Sequence, residues 1–225
     1  MRMTSLVLLA VGLAAVSGCA GSGAGVRLTD ETSFDGLTRV AKPRFGTVWV
    51  AADLDLSSYS KVMLEGAGIE FRDVASRGSR GMSREFPLSE SAKRRLRDIM
   101  AAAFRNELAR STQFELTEEP GPDVLLVWAG LYDVVSFVPP DRAGRGDIWL
   151  RSVGEATLVL ELRDSRSHAT LVRILDRRSA ESTTSTITAN TAATSAEVRQ
   201  LANRWAVQFR RRLDQVPSLS TPADD

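Results

Sequence analysis

The chain has 225 residues, 43% of them apolar, with 29 lysines and arginines against 28 aspartates and glutamates. This length fits one domain with a hydrophobic core, and the near-zero net charge argues against a nucleic-acid-binding protein, which needs a basic excess to neutralise phosphates. The single cysteine, Cys19, excludes an intrachain disulfide, and the single histidine, His168, leaves no His/Cys cluster for zinc. We therefore expect no metal site, no cofactor and no nucleic-acid partner.

The N-terminus predicts a secretory signal peptide over residues 1–18. It begins with a positive charge at Arg2, runs apolar from Leu6 to Val16 and ends in small residues. This order of charge, short apolar stretch and small residues is typical of a cleaved signal. The apolar stretch is too short to span a hydrocarbon core of ~30 Å as a permanent helix.

The ending Ser17-Gly18-Cys19 resembles the lipobox of bacterial lipoproteins. The resemblance implies that Cys19 is acylated, becomes the mature N-terminus and makes the membrane a partner. Because Ala20 and not aspartate follows the cysteine, it also implies sorting to the outer membrane, where we expect the protein on the periplasmic side. Without Arg2 the mature chain has zero net charge, so we expect acyl chains to hold it there, at ~0.8 kcal/mol per buried CH₂.

The chain after the signal divides into three parts. Residues 19–33 begin with a run of small residues and are predicted to be a flexible tether. Residues 34–216 are predicted to form a single domain, and residues 217–225 a polar tail. Within the domain, residues 34–58 have scattered apolar positions with Pro43 and Gly46 as breakers, which favours an extended segment packed on the domain.

The first half of the domain predicts strand, helix and strand. Tyr59–Phe71 alternates like a strand, and its apolar register shifts by one residue at Gly66 and Gly68, which suits a β-bulge. Ser89 is suited to cap a helix that runs to about Arg110, with apolar residues every three and four positions. A short extended piece at 114–116 follows, and 124–135, apolar on both faces, is typical of a central strand.

The second half predicts a hairpin and a second helix. Residues 153–163 alternate between apolar and polar, and a polar turn leads into a strand over 170–178. Ser182–Thr194 is rich in small polar residues and is predicted to be a mobile loop. Thr194 and Glu197 match a capping box, and the helix after them is expected to end near Gln215.

These elements predict an α+β fold of two layers. We expect a mainly antiparallel sheet of about four to five strands with two helices on one face, because the hairpin has one apolar and one polar face.

Several short motifs in this order resemble one known family. They are Tyr59–Glu65, Glu119–Leu125, Gly154–Ser165, Asp176–Arg178, Trp205-Ala206 and Arg211–Asp214. Together they resemble the bacterial lipoprotein family catalogued as domain of unknown function 3313, over residues 34–214. The resemblance implies an envelope lipoprotein without an assigned activity, so it transfers no catalytic residue. The chain departs from the expected pattern at Asp73-Val74-Ala75, where a tryptophan is expected, which affects only the loop Asp73–Phe86.

The residue types for catalysis are present but not in catalytic patterns. His168 lies in the predicted hairpin turn, where a solvated residue is usual, and the chain has no Gly-x-Ser-x-Gly elbow. The carboxylate pairs Glu118/Glu119 and Asp164/Asp176 have plainer roles at turns or on a solvated face. We therefore expect that the protein is not an enzyme.

A basic cluster at the start of the first helix is the most unusual candidate for a binding site. It comprises Lys93, Arg94, Arg95 and Arg97. Cations at a helix N-terminus oppose the helix dipole, so a contact with lipid head groups or an acidic partner is one interpretation. A solvated face in an arginine-rich chain is the alternative.

The loop Pro139–Asp147 is a second candidate, since it contains the tripeptide Arg145-Gly146-Asp147 and lies near several aromatic residues. These are Trp128, Tyr132, Phe137 and Trp149. They are suited either to line a groove or to pack in the core and at the sheet edge.

Two functions remain open. The first is a non-enzymatic envelope module that binds a protein partner or supports an assembly. The second is a carrier of a lipid or other small ligand in a groove between helices and sheet. A deep apolar cavity favours the second, and a flat exposed apolar patch favours the first.

Overall fold

A computed structural model describes residues 27–74, 85–139, 149–181, 186–188 and 190–215. The predicted signal peptide, Cys19, the Arg145-Gly146-Asp147 tripeptide and the polar tail lie outside these residues. The described elements, in chain order, are β1 Leu28–Thr32, β2 Thr38–Val40, β3 Thr47–Val50, β4 Lys61–Phe71, α1 Glu90–Leu108, β5 Glu115–Thr117, β6 Val124–Ser136, β7 Trp149–Leu150, β8 Ser152–Asp164, β9 Thr170–Glu181, β10 Ile187–Thr188 and α2 Thr191–Leu213.

Eight of the described strands form one mixed sheet in the order β1-β2-β3-β9-β8-β6-β4-β5. Strand β4 pairs in parallel with both β5 and β6, and the other neighbours are antiparallel. The predicted sheet of four to five mainly antiparallel strands is therefore wrong, although the α+β class holds. Strands β7 and β10 pair separately.

The additional strands have two origins. Strands β2 and β3 lie within the segment 34–58 that was predicted to be extended, and each has only a few residues, too short for a periodic signal. Strand β1 lies within the predicted tether, so the folded domain begins before residue 34.

The parallel pairs arise because α1 connects β4 to the strands after it, and a helical crossover brings the chain back in the same direction.

The predicted bulge in β4 is confirmed. Gly66 pairs with Ala129 and Gly68 with Gly130, so Ala67 is an extra residue between two pairs. Gly68 has a φ of 91°, in the left-handed region that glycine adopts without steric cost.

The first helix begins as predicted, and the second begins earlier than predicted. Ser89 caps α1 by accepting a hydrogen bond from the backbone N–H of Ala92. Helix α2 is capped by Asn190, whose Oδ1 accepts from the N–H of Ala193 at 2.8 Å. The predicted capping box at Thr194 and Glu197 is therefore wrong, because both residues lie inside the helix. Asparagine caps a helix as well as serine or threonine, and it precedes them here.

Both helices pack on one face of the sheet and contact each other. Their contacts show that they run in the same direction. The Phe104 and Phe209 rings lie 6.1 Å apart, and one turn further on the Ser111 hydroxyl donates to Asp214 at 2.6 Å. Arg210 ties the same ends together by ion pairs with Glu107 at 3.2 Å and Asp214 at 2.7 Å.

Within the described residues, neither helix combines the length and the apolar character needed to cross a membrane.

Candidate functional site

A cavity of about 320 Å³ separates the N-terminal halves of the two helices above the sheet. We call it the interhelical groove. The described residues that line it are Pro87, Leu88, Ser89, Ala92, Arg95, Leu96, Ile99, Met100, Leu131, Val134, Val135, Ser136, Val138, Pro139, Val153, Gly154, Glu155, Ala156, Ala180, Asn190, Thr191, Thr194, Ser195, Val198, Leu201 and Trp205. The two helices are in contact near their C-terminal ends and lie apart at their N-terminal halves. The groove is the space between those N-terminal halves.

The inner end of the groove is apolar. Leu131 and Val153 from the sheet and Leu201 and Trp205 from α2 are all buried. The one polar group of Trp205 is already satisfied, since its Nε1–H donates to Asp176 Oδ2 at 2.7 Å. These side chains therefore offer a ligand apolar surface.

The outer rim of the groove is polar. Ser89 and Arg95 come from the start of α1, Asn190 and Thr191 come from the start of α2, and all four are exposed. One turn inside this rim, the Thr194 hydroxyl oxygen is buried without a hydrogen-bond partner in the described structure. A buried hydroxyl without a partner costs free energy, but the Thr194 oxygen has almost no accessible surface, so a ligand in the groove does not reach it in this conformation.

Among the described lining residues only Glu155 and Arg95 carry a charge, and only Glu155 has an ion-pair partner. The carboxylate of Glu155 is ion-paired with Arg72 at 2.9 Å and with Arg177. Arg95 makes no ion pair or hydrogen bond in the described part of the chain. Among the described residues, therefore, Arg95 is the one lining cation that no other described side chain neutralises.

The structure separates one residue of the predicted basic cluster, Arg95, from Lys93. Lys93 pairs with Glu90 at 2.8 Å and lies 4.8 Å from the ring centre of Phe71, whereas Arg95 lines the groove on another side of α1. Residues two apart on a helix do not face each other, which explains the separation. Arg94 and Arg97 are exposed and do not line the groove.

The predicted aromatic residues do not line the groove, whereas the predicted loop contributes one described residue to it. The guanidinium of Arg163 covers the Trp128 ring at 4.2 Å, and Tyr132 and Trp149 are exposed. Phe137 is half-buried and is not among the described lining residues. Of the loop Pro139–Asp147, only Pro139 is described, and it does line the groove.

The candidates for acid–base chemistry are dispersed. His168 is exposed in the β8–β9 turn with a φ of 58°. Within that turn, Asp164 accepts a hydrogen bond of 2.7 Å from the backbone N–H of Ser167. It also accepts one of 3.0 Å from the hydroxyl of Tyr59, which lies outside the turn. These bonds lower the pKa of Asp164, the Ser167 N–H contributing most. Asp176 lies beneath α2, paired with Arg178 at 2.6 Å, so Asp164 and Asp176 do not form a site together.

No group of histidine, cysteine and carboxylate side chains in the described residues is arranged to hold a metal ion.

Arg72 and Arg177, the two partners of Glu155, belong to a larger network of ion pairs. Arg72 holds Asp133 with two hydrogen bonds of 2.6 and 2.7 Å and Glu85 with one of 2.6 Å. Hydrogen bonds from Arg72, with a smaller contribution from Arg177, lower the pKa of Asp133 to about 2. In this network three carboxylates share two guanidiniums, and each of the five groups has an ion-pair partner within it, so its main role is to stabilise the sheet.

The network predicts a specific response to acid. A carboxyl whose folded pKa lies below its unfolded value of ~3.9 stabilises the protein above that value, and the stabilisation is lost as the pH falls through the folded pKa. We expect the free energy of unfolding to fall between about pH 5 and pH 2, and Asp133→Asn to remove on the order of 1 kcal/mol of that fall. Urea unfolding followed by circular dichroism at several pH values measures it. Asp30→Asn is the control, since Asp30 is exposed and makes no ion pair in the described chain; an equal effect of both variants contradicts the assignment.

The fold is similar to several solved structures at low sequence identity. The PelC dodecamer from Paraburkholderia phytofirmans matches with a TM-score of 0.36 and 12% identity, covering 72% of this chain and 97% of that one. Protein XCC0632 from Xanthomonas campestris, of family DUF330, matches with 0.35 and 12%, covering 70% and 88%. A putative neuraminyllactose-binding hemagglutinin homologue from Helicobacter pylori matches with 0.35 and 13%, covering 69% and 83%. At these scores the similarities assign no function to this chain.

No curated relative matches the sequence. A family model does match, over residues 28–209, which is most of the chain and includes every described element from β1 to the greater part of α2. The chain belongs to the protein family of unknown function DUF3313.

Proposed function

We propose that this protein is a lipid-anchored, non-enzymatic binding protein of the bacterial cell envelope, and that it holds an apolar ligand in the interhelical groove. The observation that carries the proposal is the groove itself, an apolar cavity with a polar rim between two helices and a sheet. Binding sites for small ligands have this form, mostly apolar with a few polar groups that set orientation. The proposal favours the carrier hypothesis over the assembly module.

The assembly module has less support in the described residues. Its expected mark is a contiguous exposed apolar patch. The exposed large apolar side chains are Leu28, Phe34, Tyr132 and Trp149. Leu28 lies in β1 and Tyr132 in β6, and these strands are separated by four others in the sheet.

The proposed anchor places the domain close to a membrane. Eight residues lie between Cys19 and the first residue of β1, Leu28, and an extended chain covers at most about 3.5 Å for each of the nine steps. The start of the sheet then lies within about 30 Å of the acylated cysteine. A carrier at this distance can exchange a lipid-like ligand with the surface to which it is attached.

The size of the groove limits the ligand. Pockets for small molecules have volumes of roughly 300–1,000 Å³, and about 320 Å³ lies at the lower end of that range. The groove therefore suits one acyl chain or one small apolar molecule better than a phospholipid with two chains.

The experiment is native mass spectrometry of the full-length tagged protein, purified from its own envelope in a mild detergent. We expect a small apolar molecule bound at one copy per chain. Val198→Trp places a large ring in the groove and should reduce the bound fraction at least fivefold, whereas Arg199→Trp, at the exposed neighbouring position, should not. Equal occupancy in the two variants, or wild-type protein free of ligand, would overturn the proposal.

A further inference from the structure

We propose that the ligand of the interhelical groove is a single-chain amphiphile with an anionic head, bound with its head at the rim beside Arg95 and its chain at the inner end. This inference rests on the proposed function and adds the class of ligand and its orientation.

The distribution of polar groups sets the orientation. The exposed rim carries the side chains of Ser89, Arg95, Asn190 and Thr191, and the buried end is formed by leucine, valine and tryptophan. Ser89 and Asn190 already cap the two helices, so a ligand that is apolar throughout would leave Arg95 and Thr191 without a partner in the described chain. A ligand with a polar head matches both ends, because an unpaired polar group buried against an apolar surface costs free energy.

The charges of the described lining residues set the sign of the head. Glu155 is ion-paired with Arg72 and Arg177, which weakens both its attraction for a cationic head and its repulsion of an anionic one. Arg95 has no anionic partner in the described chain. A guanidinium binds carboxylate or phosphate oxygens with two parallel hydrogen bonds, which makes an anionic head its natural partner.

The helix dipoles act in the same direction. The N-terminal halves of α1 and α2 both line the groove, and each helix N-terminus carries a partial positive charge. The first turn of α2 has no acidic residue, and Glu90 in the first turn of α1 is already paired with Lys93. Glu197, in the second turn of α2, has one buried carboxylate oxygen without a partner in the described structure, but it does not line the groove. The partial positive charges of the two helix starts therefore favour an anionic head at the rim.

The test uses a fatty acid that carries a photoreactive diazirine in its chain, and the methyl ester of the same molecule. Both are added to the full-length protein in a neutral detergent, crosslinked by light and mapped by peptide mass spectrometry. We expect adducts on groove residues such as Met100, with about tenfold more from the free acid than from the ester. Arg95→Glu should reduce the free-acid yield about tenfold and leave the ester yield unchanged. Arg94→Glu is the matched control and should change neither.

The outcomes separate this inference from the proposed function. Equal groove labelling by acid and ester, with no effect of Arg95→Glu, would overturn the anionic head and leave an apolar ligand site. Labelling by neither probe in the groove would overturn both. To distinguish a carboxylate from a phosphate head, a lysophosphatidic acid competes with the free acid, and stronger competition than by the unlabelled fatty acid identifies the phosphate.

Discussion

Replacing Cys19 by alanine should abolish incorporation of an alkyne fatty acid into the protein and release it from membranes. The expected effect is near-complete, because under the proposed function the Cys19 thiol is the acceptor of the lipid, and the sequence has no second cysteine. One acyl chain gives only marginal attachment, whereas two or three, at ~0.8 kcal/mol per CH₂, make it stable. Residues 19–225 carry 28 basic and 28 acidic side chains, so no net positive charge would hold them to anionic lipids.

The measurement is metabolic labelling followed by gel fluorescence and membrane fractionation. Ser17→Ala is the control, since it keeps a small residue before the cysteine and should be labelled like the wild type. Unchanged labelling of Cys19→Ala would show that the protein is not a lipoprotein of this type, while the groove would still require an explanation.

Replacing Trp205 by alanine should lower the free energy of unfolding by about 3–5 kcal/mol, the usual cost of removing a large buried aromatic side chain. The Trp205 side chain is among the largest that are fully buried, and it lies where α2 meets β9. Its Nε1–H also donates to Oδ2 of the buried Asp176, the same oxygen with which Arg178 forms an ion pair.

Trp205→Phe separates the two contributions. It keeps an aromatic ring and removes the donor, so we expect it to cost about 1.5–3 kcal/mol, the value of a hydrogen bond to a charged group. Urea unfolding followed by far-ultraviolet circular dichroism measures both variants, because the three other tryptophans complicate fluorescence. A cost below 1 kcal/mol for Trp205→Ala would contradict the packing described for α2.

The elements with a strong periodic pattern could be predicted from the sequence. The helix capped by Ser89, the bulged strand β4, the central strand β6 and the β8–β9 hairpin lie where the pattern places them. Each is long enough for an apolar period to be read, and each buries the face that the period predicts.

The missed elements are those in which local pattern is weak or misleading. Strands β1–β3 have three to five residues and depend on pairing with neighbours that are distant in sequence, such as β3 with β9. The early start of α2 was missed because Thr191–Ser195 reads as a polar loop, although Asn190 caps it and tertiary contacts hold it.

The candidate site could be predicted only in part. Arg95 belongs to the basic cluster that the sequence singled out, but its separation from Lys93 depends on which side of α1 faces the groove. The groove itself arises because two parallel helices touch at Phe104 and Phe209 and diverge toward their starts. No single segment encodes that divergence, so no sequence pattern reveals it.

The central claim is that a ligand occupies the interhelical groove in the cell envelope. The most direct measurement places a photocrosslinking amino acid at Met100, which lines the groove, and in a second strain at Arg199, which is exposed on α2. After illumination of intact cells, mass spectrometry of the purified full-length protein should show a small-molecule adduct at position 100 and none at position 199. An adduct with another protein at position 100, or unmodified peptides at both positions, would contradict the account.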